Sequence, residues 1–311
     1  MKIYITGHVS PDLDSIASAY TYAEYLEKLE RYEGAEIIPA RAGEPNKETK
    51  FVFNKFDIKM PVLLDEINVE KTDGFVLVDH NESDQRHVKV NSEQVLEIVD
   101  HHKIKVEFTS PVRIDVKPFG CTNTLIKELF EMYGSEVSKK TKSLMLASIL
   151  SDTVGLKSST TTGMDSEVAH ELAKDLDIDL DKFTFEIFKA KSDLTGLSKE
   201  DIVRKDFKIF DFGGKKVFIN QVETVEPEKL IEQRKKLVEA LEEVKIKEGV
   251  GQAYLIVTDI LKVNSHAIYA TEAEGHIIEK AFTTEGKDNL ADIGPRMSRK
   301  KDIAPAIEKA Q

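Results

Sequence analysis

Cysteine is nearly absent: Cys121 is the only one in 311 residues. That excludes an intramolecular disulfide and fits a reducing compartment, and the residue itself reads as a small buried apolar group near a helix start. Long apolar runs are missing as well. The N-terminal MKIYITGH has neither the basic start nor the apolar stretch of a secretory signal, and no segment approaches membrane-spanning length. A cytoplasmic chain without membrane contact is expected. Positive charge is in deficit, with a formal net charge of −12. A nucleic acid contacted along its length needs a broad basic surface, so no nucleic-acid partner is expected, whereas a small anion held by a few local cations stays compatible.

What is present describes an ordinary globular protein, with 41% hydrophobic and 32% charged residues. A chain of 311 residues is long for one core, which favours two domains. In the first half, the apolar runs KIYIT (2–6), AEIIPA (35–40), FVLV (75–78) and LEIV (96–99) alternate with helical patterns, the first from Asp14 to about Tyr32. This predicts an α/β domain built on a parallel sheet with helices on both faces. Further helices are expected from Gly120 to about Tyr133 and from Thr141 to Leu150, the second carrying the apolar SLMLASIL and reading as buried. The segment KAKSDLTGLS (189–198) loses hydrophobic periodicity and concentrates small and polar residues, as linkers do. The expected division is therefore 1–188, a hinge over 189–198, and a smaller α/β domain over 199–311. In that second domain, strands are expected at 208–210, 216–222, 253–257 and 266–270, with one long, charged, solvated helix from Pro227 to about Lys247.

Three of the expected strands end in the same kind of residue. KIYITGH reaches His8, FVLVD reaches Asp79, and LEIVDHH reaches Asp100, His101 and His102. In an open parallel sheet the C-terminal strand ends line one crevice, so these groups converge there. The loop GHVSPDLDS adds Asp12 and Asp14, either of which could equally cap the helix that follows. Taken alone, each His or Asp reads as a structural group. Taken together, several acids and imidazoles in one crevice repel one another and lose hydration unless cations neutralise them, and metal binding is the economical reading. Asp152, in SDT (151–153), ends an apolar helix where the dipole disfavours a carboxylate by about 0.3–1 kcal/mol, which mildly supports a further ligand. Near the C-terminus, GPRMSRKK (294–301) concentrates four cations in an acidic protein. Such a cluster is commonly only solvated, but Ser298 could cap a helix start whose N–H groups favour anions.

The ordered set G-H-x-x-P-D-x-D-S, V-D-H-N-E, V-D-H-H and S-D-T resembles the DHH phosphoesterase superfamily, and D-H-N-E with the C-terminal S-R-K-K is similar to its family II inorganic pyrophosphatase branch. The match spans essentially the whole chain. The resemblance implies a metal-binding DHH domain followed by a DHHA2-like substrate-binding domain with a mixed sheet. It also implies hydrolysis of pyrophosphate to two phosphates in the cleft between the domains. His8, Asp12, Asp79 and Asp152 would hold one metal, and Asp14, Asp79, His101 and Asp152 the other, so that Asp79 and Asp152 bridge. The ions would be two Mn²⁺ or Co²⁺, with additional Mg²⁺ on the pyrophosphate; mixed Asp and His donors agree with that preference. Asp100 would orient an imidazole or the loop. His102, Lys205, Arg299 and Lys300 would bind substrate phosphates, and Asp12, Asp79, His102, Lys205, Arg299 and Lys300 form the implied catalytic set. A homodimer through edge strands of the first domain is implied too. The rival within the superfamily is an exopolyphosphatase or an oligonucleotide phosphodiesterase. Relatives acting on nucleic acids carry a G-G-G-H element, and this chain has only Gly213-Gly214 followed by Lys215. A catalytically silent nucleotide sensor would need an insertion after the DHH motif, for which the spacing from His102 to Asp152 leaves no room.

Overall fold

Strand and helix alternate through the first part of the chain. The order is β1 (Lys2–Thr6), α1 (Leu13–Leu29), β2 (Glu36–Arg41), α2 (Lys47–Lys55), β3 (Val62–Leu63), β4 (Gly74–Val78), β5 (Val95–Asp100), β6 (Arg113–Val116), α3 (Thr122–Met132), α4 (Lys139–Asp152), α5 (Gly163–Leu176) and α6 (Leu180–Lys191). These belong to the first of two units, Met1–Lys191 and Ser192–Gln311, of a computed structural model that describes residues 1–311. All six strands are parallel, in the order β3-β2-β1-β4-β5-β6. Both faces are covered, but unequally. Apolar side chains from α1 through α6 cluster with Ile3, Ile5, Val76, Val78 and Val99 on one face. The alternate positions Tyr4, Phe75, Leu77 and Ile98 cluster with Leu64, which opens the short 3₁₀ turn Leu64–Glu66, and with irregular chain around Val90.

Local chemistry explains the boundaries. Asp12 caps α1 by accepting from the Ser15 N–H (3.0 Å), and the helix ends at Leu29 rather than Tyr32 because Glu30 turns left-handed with φ 50°. Gly7, leaving β1, lies so close to α1 that a Cβ there would meet Ser15 Oγ at 1.9 Å. The helix expected from Gly120 starts at Thr122, and α4 extends past the expected Thr141–Leu150 at both ends, so that Asp152 is its last residue. Helix α6 runs to Lys191, three residues into the segment 189–198.

The second unit comprises α7 (Lys199–Arg204), β7 (Phe207–Phe212), β8 (Lys215–Thr224), α8 (Pro227–Glu232), α9 (Arg234–Glu248), β9 (Gln252–Asp259), β10 (Asn264–Tyr269), α10 (Glu272–Phe282), β11 (Gly286–Lys287), β12 (Leu290–Gly294) and α11 (Ala304–Ala310). Its sheet is mixed, in the order β11-β12-β10-β9-β8-β7, with β8 and β9 parallel and the other pairs antiparallel. Period-2 alternation along β8 and β9 serves two cores. Phe218, Leu255 and Val257 pack with Leu237, Leu241 and Val244 of α9, whereas Val217, Ile219, Tyr254 and Ile256 pack with Ile278, Ile303 and Ile307. The single helix expected from Pro227 to Lys247 is instead two, α8 and α9, broken at Gln233.

Candidate functional site

In the first sheet, β1 leads to β2 on one side while β4, its other neighbour, leads to β5 on the opposite side. Connections therefore diverge at the C-terminal ends of β1 and β4, where an open parallel sheet leaves a crevice. His8 follows β1, Asp79 follows β4, and His101 and His102 follow β5. A cavity of about 560 Å³ is lined by His8, Asp12, Asp79, His101, His102 and Asp152.

The imidazoles are aimed by the backbone. His8 Nδ1–H donates to the Val9 carbonyl (2.8 Å) and His101 Nδ1–H to the Phe119 carbonyl (2.9 Å). A carbonyl only accepts, so Nδ1 carries a proton in each ring, and each Nε2 faces Asp79, at 3.4 Å from His8 and 3.2 Å from His101. Asp79 is buried and holds a left-handed backbone, φ 58°, which costs a non-glycine residue energy and is a feature of functional turns. Asp12 caps α1 and also lies 3.6 Å from His8 Nε2, so capping and ligation are not exclusive roles.

Asp14 is fully buried in the first turn of α1. Its Oδ1 accepts from Ser18 Oγ (3.1 Å), Cys121 Sγ (3.0 Å) and Asn123 Nδ2 (2.9 Å), and its Oδ2 from the Thr122 N–H (2.9 Å). The start of α3 is thus pinned to this carboxylate. Asp14, Cys121 and Asp152 bring potential ligand atoms within 4.8 Å of one another, as do His8, Asp12 and Asp79, and Asp79, His101 and His102. Asp100 is different in kind. Four donors occupy it: the N–H groups of His101 (2.7 Å) and His102 (3.1 Å), His102 Nδ1–H (2.9 Å) and Asn81 Nδ2 (2.6 Å). Burial disfavours its charge, yet the bonds from His102 and Asn81 prevail and hold its carboxyl at about 2. It orients the loop and the His102 ring.

The electrostatics of the remaining acids point the other way. Burial, reinforced by Asp14, pushes Asp79 above the ordinary carboxylate range, and burial with Asp14, Asp12 and Asp79 pushes Asp152 well above it. Burial opposes charge on His8 and His101, but the Asp12 and Asp79 carboxylates outweigh it at His8, raising it to about 11, and Asp79 with Asp14 raises His101 to about 9. Protons retained on both kinds of group lower the negative charge of the cluster, a part that a bound cation would take over by displacing them. Carboxylates and imidazoles with Nε2 directed inward fit divalent transition metals.

The second unit carries the basic segment. After β12, Ser298 caps one π-helical turn, Arg299–Ile303, its Oγ accepting from the Lys301 N–H (3.2 Å). The half-buried Arg299 donates to the Asp206 carbonyl and to Asp206 Oδ1 (2.9 Å), which sets the Lys205–Asp206 end of α7 beside this turn. Lys205 and Lys300 are exposed. Within this unit the three expected substrate cations therefore belong to two adjoining segments.

Sequence reasoning left several contributors unassigned. Asn81 ties Asp100 to the following loop, donating to the Lys103 carbonyl (2.9 Å) and accepting from the Lys105 N–H (2.6 Å). His80 is buried behind His8 and, by burial, drops to about 4, so it is neutral. Cys121, Thr122 and Asn123 hold Asp14; the run GCTNT marks small and polar residues where a buried helix begins, but not the partner they meet.

Comparison with known proteins gives the class first. Residues 2–149 match the model of the DHH family N-terminal domain, and residues 185–310 match that of the DHHA2 domain. A probable manganese-dependent inorganic pyrophosphatase of Clostridium acetobutylicum is 38% identical, over 99% of this chain and 97% of that one. The manganese-dependent inorganic pyrophosphatase of Methanothrix thermoacetophila is 37% identical, over 99% and 98%. A crystal structure described as a candidate family II inorganic pyrophosphatase of Methanococcus jannaschii is 37% identical, with a TM-score of 0.61 over 100% of this chain and 99% of that one. The chain belongs to the family II inorganic pyrophosphatases of the DHH superfamily.

Proposed function

We propose that this chain hydrolyses inorganic pyrophosphate to two phosphates, using two Mn²⁺ or Co²⁺ ions held at the crevice of the first unit and additional Mg²⁺ carried by the substrate. The observation that carries the reading is the convergence of Asp12, Asp79, Asp152 and the Nε2 atoms of His8 and His101 on one cavity at the sheet's switch point. His8, Asp12, Asp79 and Asp152 are assigned to one ion, and Asp14, Asp79, His101 and Asp152 to the other. Bound there, the ion pair supplies Lewis-acid polarisation at phosphorus and lowers the pKa of water toward neutrality. The residues supply the rest. Asp79 and Asp152, as carboxylates with two oxygens each, would contribute to both ions. The His102 ring, tied at Nδ1 to Asp100 and lining the cavity, is assigned to a phosphate oxygen, to which it would donate from a protonated Nε2. Lys205, Arg299 and Lys300 are assigned to the substrate phosphates, where they offset the charge of a compact tetra-anion and of the leaving phosphate.

The same reading makes the chain a cytoplasmic homodimer that would pair through edge strands of the first sheet, whose outer strands are β3 and β6. No helix is long and apolar enough to cross a membrane. To test the proposal, the purified protein is stripped with a chelator and supplied with Mn²⁺ and pyrophosphate, a short polyphosphate or a dinucleotide. Fast phosphate release from pyrophosphate is expected. Preference for polyphosphate or the dinucleotide would move the chain to another DHH activity.

A further inference from the structure

On the face of the second sheet that bears Val217, Ile219, Tyr254 and Ile256, the apolar pattern stops at one end and polar residues take over: Gln221, Thr258 and Ser265, all buried. Their hydrogen bonds run in one direction. Gln221 Nε2 donates to Thr258 Oγ1 (3.0 Å), Thr258 Oγ1 is 2.9 Å from Ser265 Oγ, and Ser265 Oγ donates to the Arg296 carbonyl (2.6 Å). The second Nε2 proton goes to the Met297 carbonyl (2.9 Å), and Gln221 Oε1 accepts from the Arg299 N–H (3.2 Å). One buried amide therefore engages the backbone on both sides of Ser298. The Gln221 backbone N–H donates to the Asp206 carbonyl (3.0 Å), the same oxygen that the Arg299 guanidinium reaches. Both cation-bearing segments meet at this residue.

We infer that Gln221 is a positioning residue for the anion-binding cations: it fixes the backbone from which Arg299 and Lys300 project and ties it to the Lys205–Asp206 segment. The inference rests on the proposed pyrophosphatase activity for its kinetic consequence, though not for its structural one. An apolar residue at this position would pack equally well on the sheet, but only an amide supplies donor and acceptor to a loop whose own backbone would otherwise be left unpaired.

The test compares the wild-type enzyme with Gln221→Met, which keeps side-chain length, removes the three side-chain hydrogen bonds and leaves the backbone bond to Asp206 in place. Amide hydrogen exchange over residues 296–301 is expected to accelerate by about tenfold, the factor that follows from losing one buried backbone partner. With Mn²⁺ bound, KM for pyrophosphate should rise by about tenfold with a smaller change in kcat, and Mn²⁺ stoichiometry should not change. If Gln221 acts through Arg299, the same substitution in an Arg299→Ala background adds less than about twofold. Unchanged exchange over 296–301, or an undiminished KM effect in the Arg299→Ala background, overturns the inference. Absence of pyrophosphate turnover in the wild type would instead defeat the proposed function, and the exchange result would then decide the inference alone. Should Gln221→Met not fold, Gln221→Asn, whose shorter amide cannot reach both the Met297 carbonyl and the Arg299 N–H, is expected to accelerate exchange at Arg299 in the same way, and wild-type exchange there would overturn the inference.

Discussion

Two groups of acids in the first unit, Glu97 within the parallel sheet and the acids of the crevice, are treated in opposite ways. Glu97, within β5, is 2% exposed and fully answered: Tyr22 Oη donates at 2.7 Å, Tyr32 Oη at 2.6 Å and Arg31 Nη1 at 2.7 Å. Burial and this carboxylate raise both phenols, so they stay protonated donors. At the crevice, Asp79 and Asp152 crowd against Asp14, whose four hydrogen bonds all come from neutral donors, and Lys191 lowers Asp152 by less than burial and the three neighbouring acids raise it. An answered acid holds the fold together, whereas an unanswered one stores a demand for cations. The difference separates structure from site without reference to any relative.

That contrast can be broken at the site end. Asp79→Ala removes the acid that both imidazoles face, and loss of about 10⁴-fold in kcat is expected together with loss of both ions, read by metal stoichiometry after desalting. Retention of two ions would sink the bridging role. Next in size is Arg299→Ala, which should leave metal stoichiometry intact and lower kcat/KM by about 10³-fold, as for removal of a charge-stabilising donor. Lost metal in that variant would mean that Arg299 is wrongly placed. At the structural end, Glu97→Ala strands Arg31 and two phenols, and a loss of about 3 kcal/mol in denaturant unfolding is expected with Mn²⁺ binding unchanged. A neutral result would remove Glu97 from the fold's supports.

Much of this was legible in the residues because both halves of the signal are local. An apolar run such as FVLV that stops at an acid announces a buried strand and the group at its end, and neither depends on distant chain. Legibility fell where the information is non-local. Nothing in GCTNT says that Thr122 and Asn123 will meet Asp14 more than a hundred residues away, and nothing in KVFINQV says that Gln221 will meet Met297 and Arg299. The short strands β3, β6 and β11 and the helices α2, α5 and α6 were likewise unmarked, their apolar positions being shared with charged surface. The helix expected through Gln233 is two helices because charge patterning describes a solvated face and does not mark where a helix breaks.

The smallest expected effect tests the comparison most directly, because it predicts a gain. Asp152 carries a pKa raised by burial and by Asp14, Asp12 and Asp79. A carboxyl whose folded pKa lies above its unfolded value favours the fold while protonated, and that contribution is lost as pH rises from the ordinary carboxylate range through the raised pKa. In chelator, the wild type should therefore lose stability as pH rises across this window, and Asp152→Asn, which cannot ionise, should flatten the slope. At the alkaline side of the window the variant should be more stable by about 1 kcal/mol, as for substitutions that relieve strain at a functional site. Added Mn²⁺ should reverse the ranking, since binding to the native state stabilises the wild type and not the variant. A metal-free Asp152→Asn protein less stable than wild type at that pH would show that these acids are already answered, and would make them the same kind of group as Glu97.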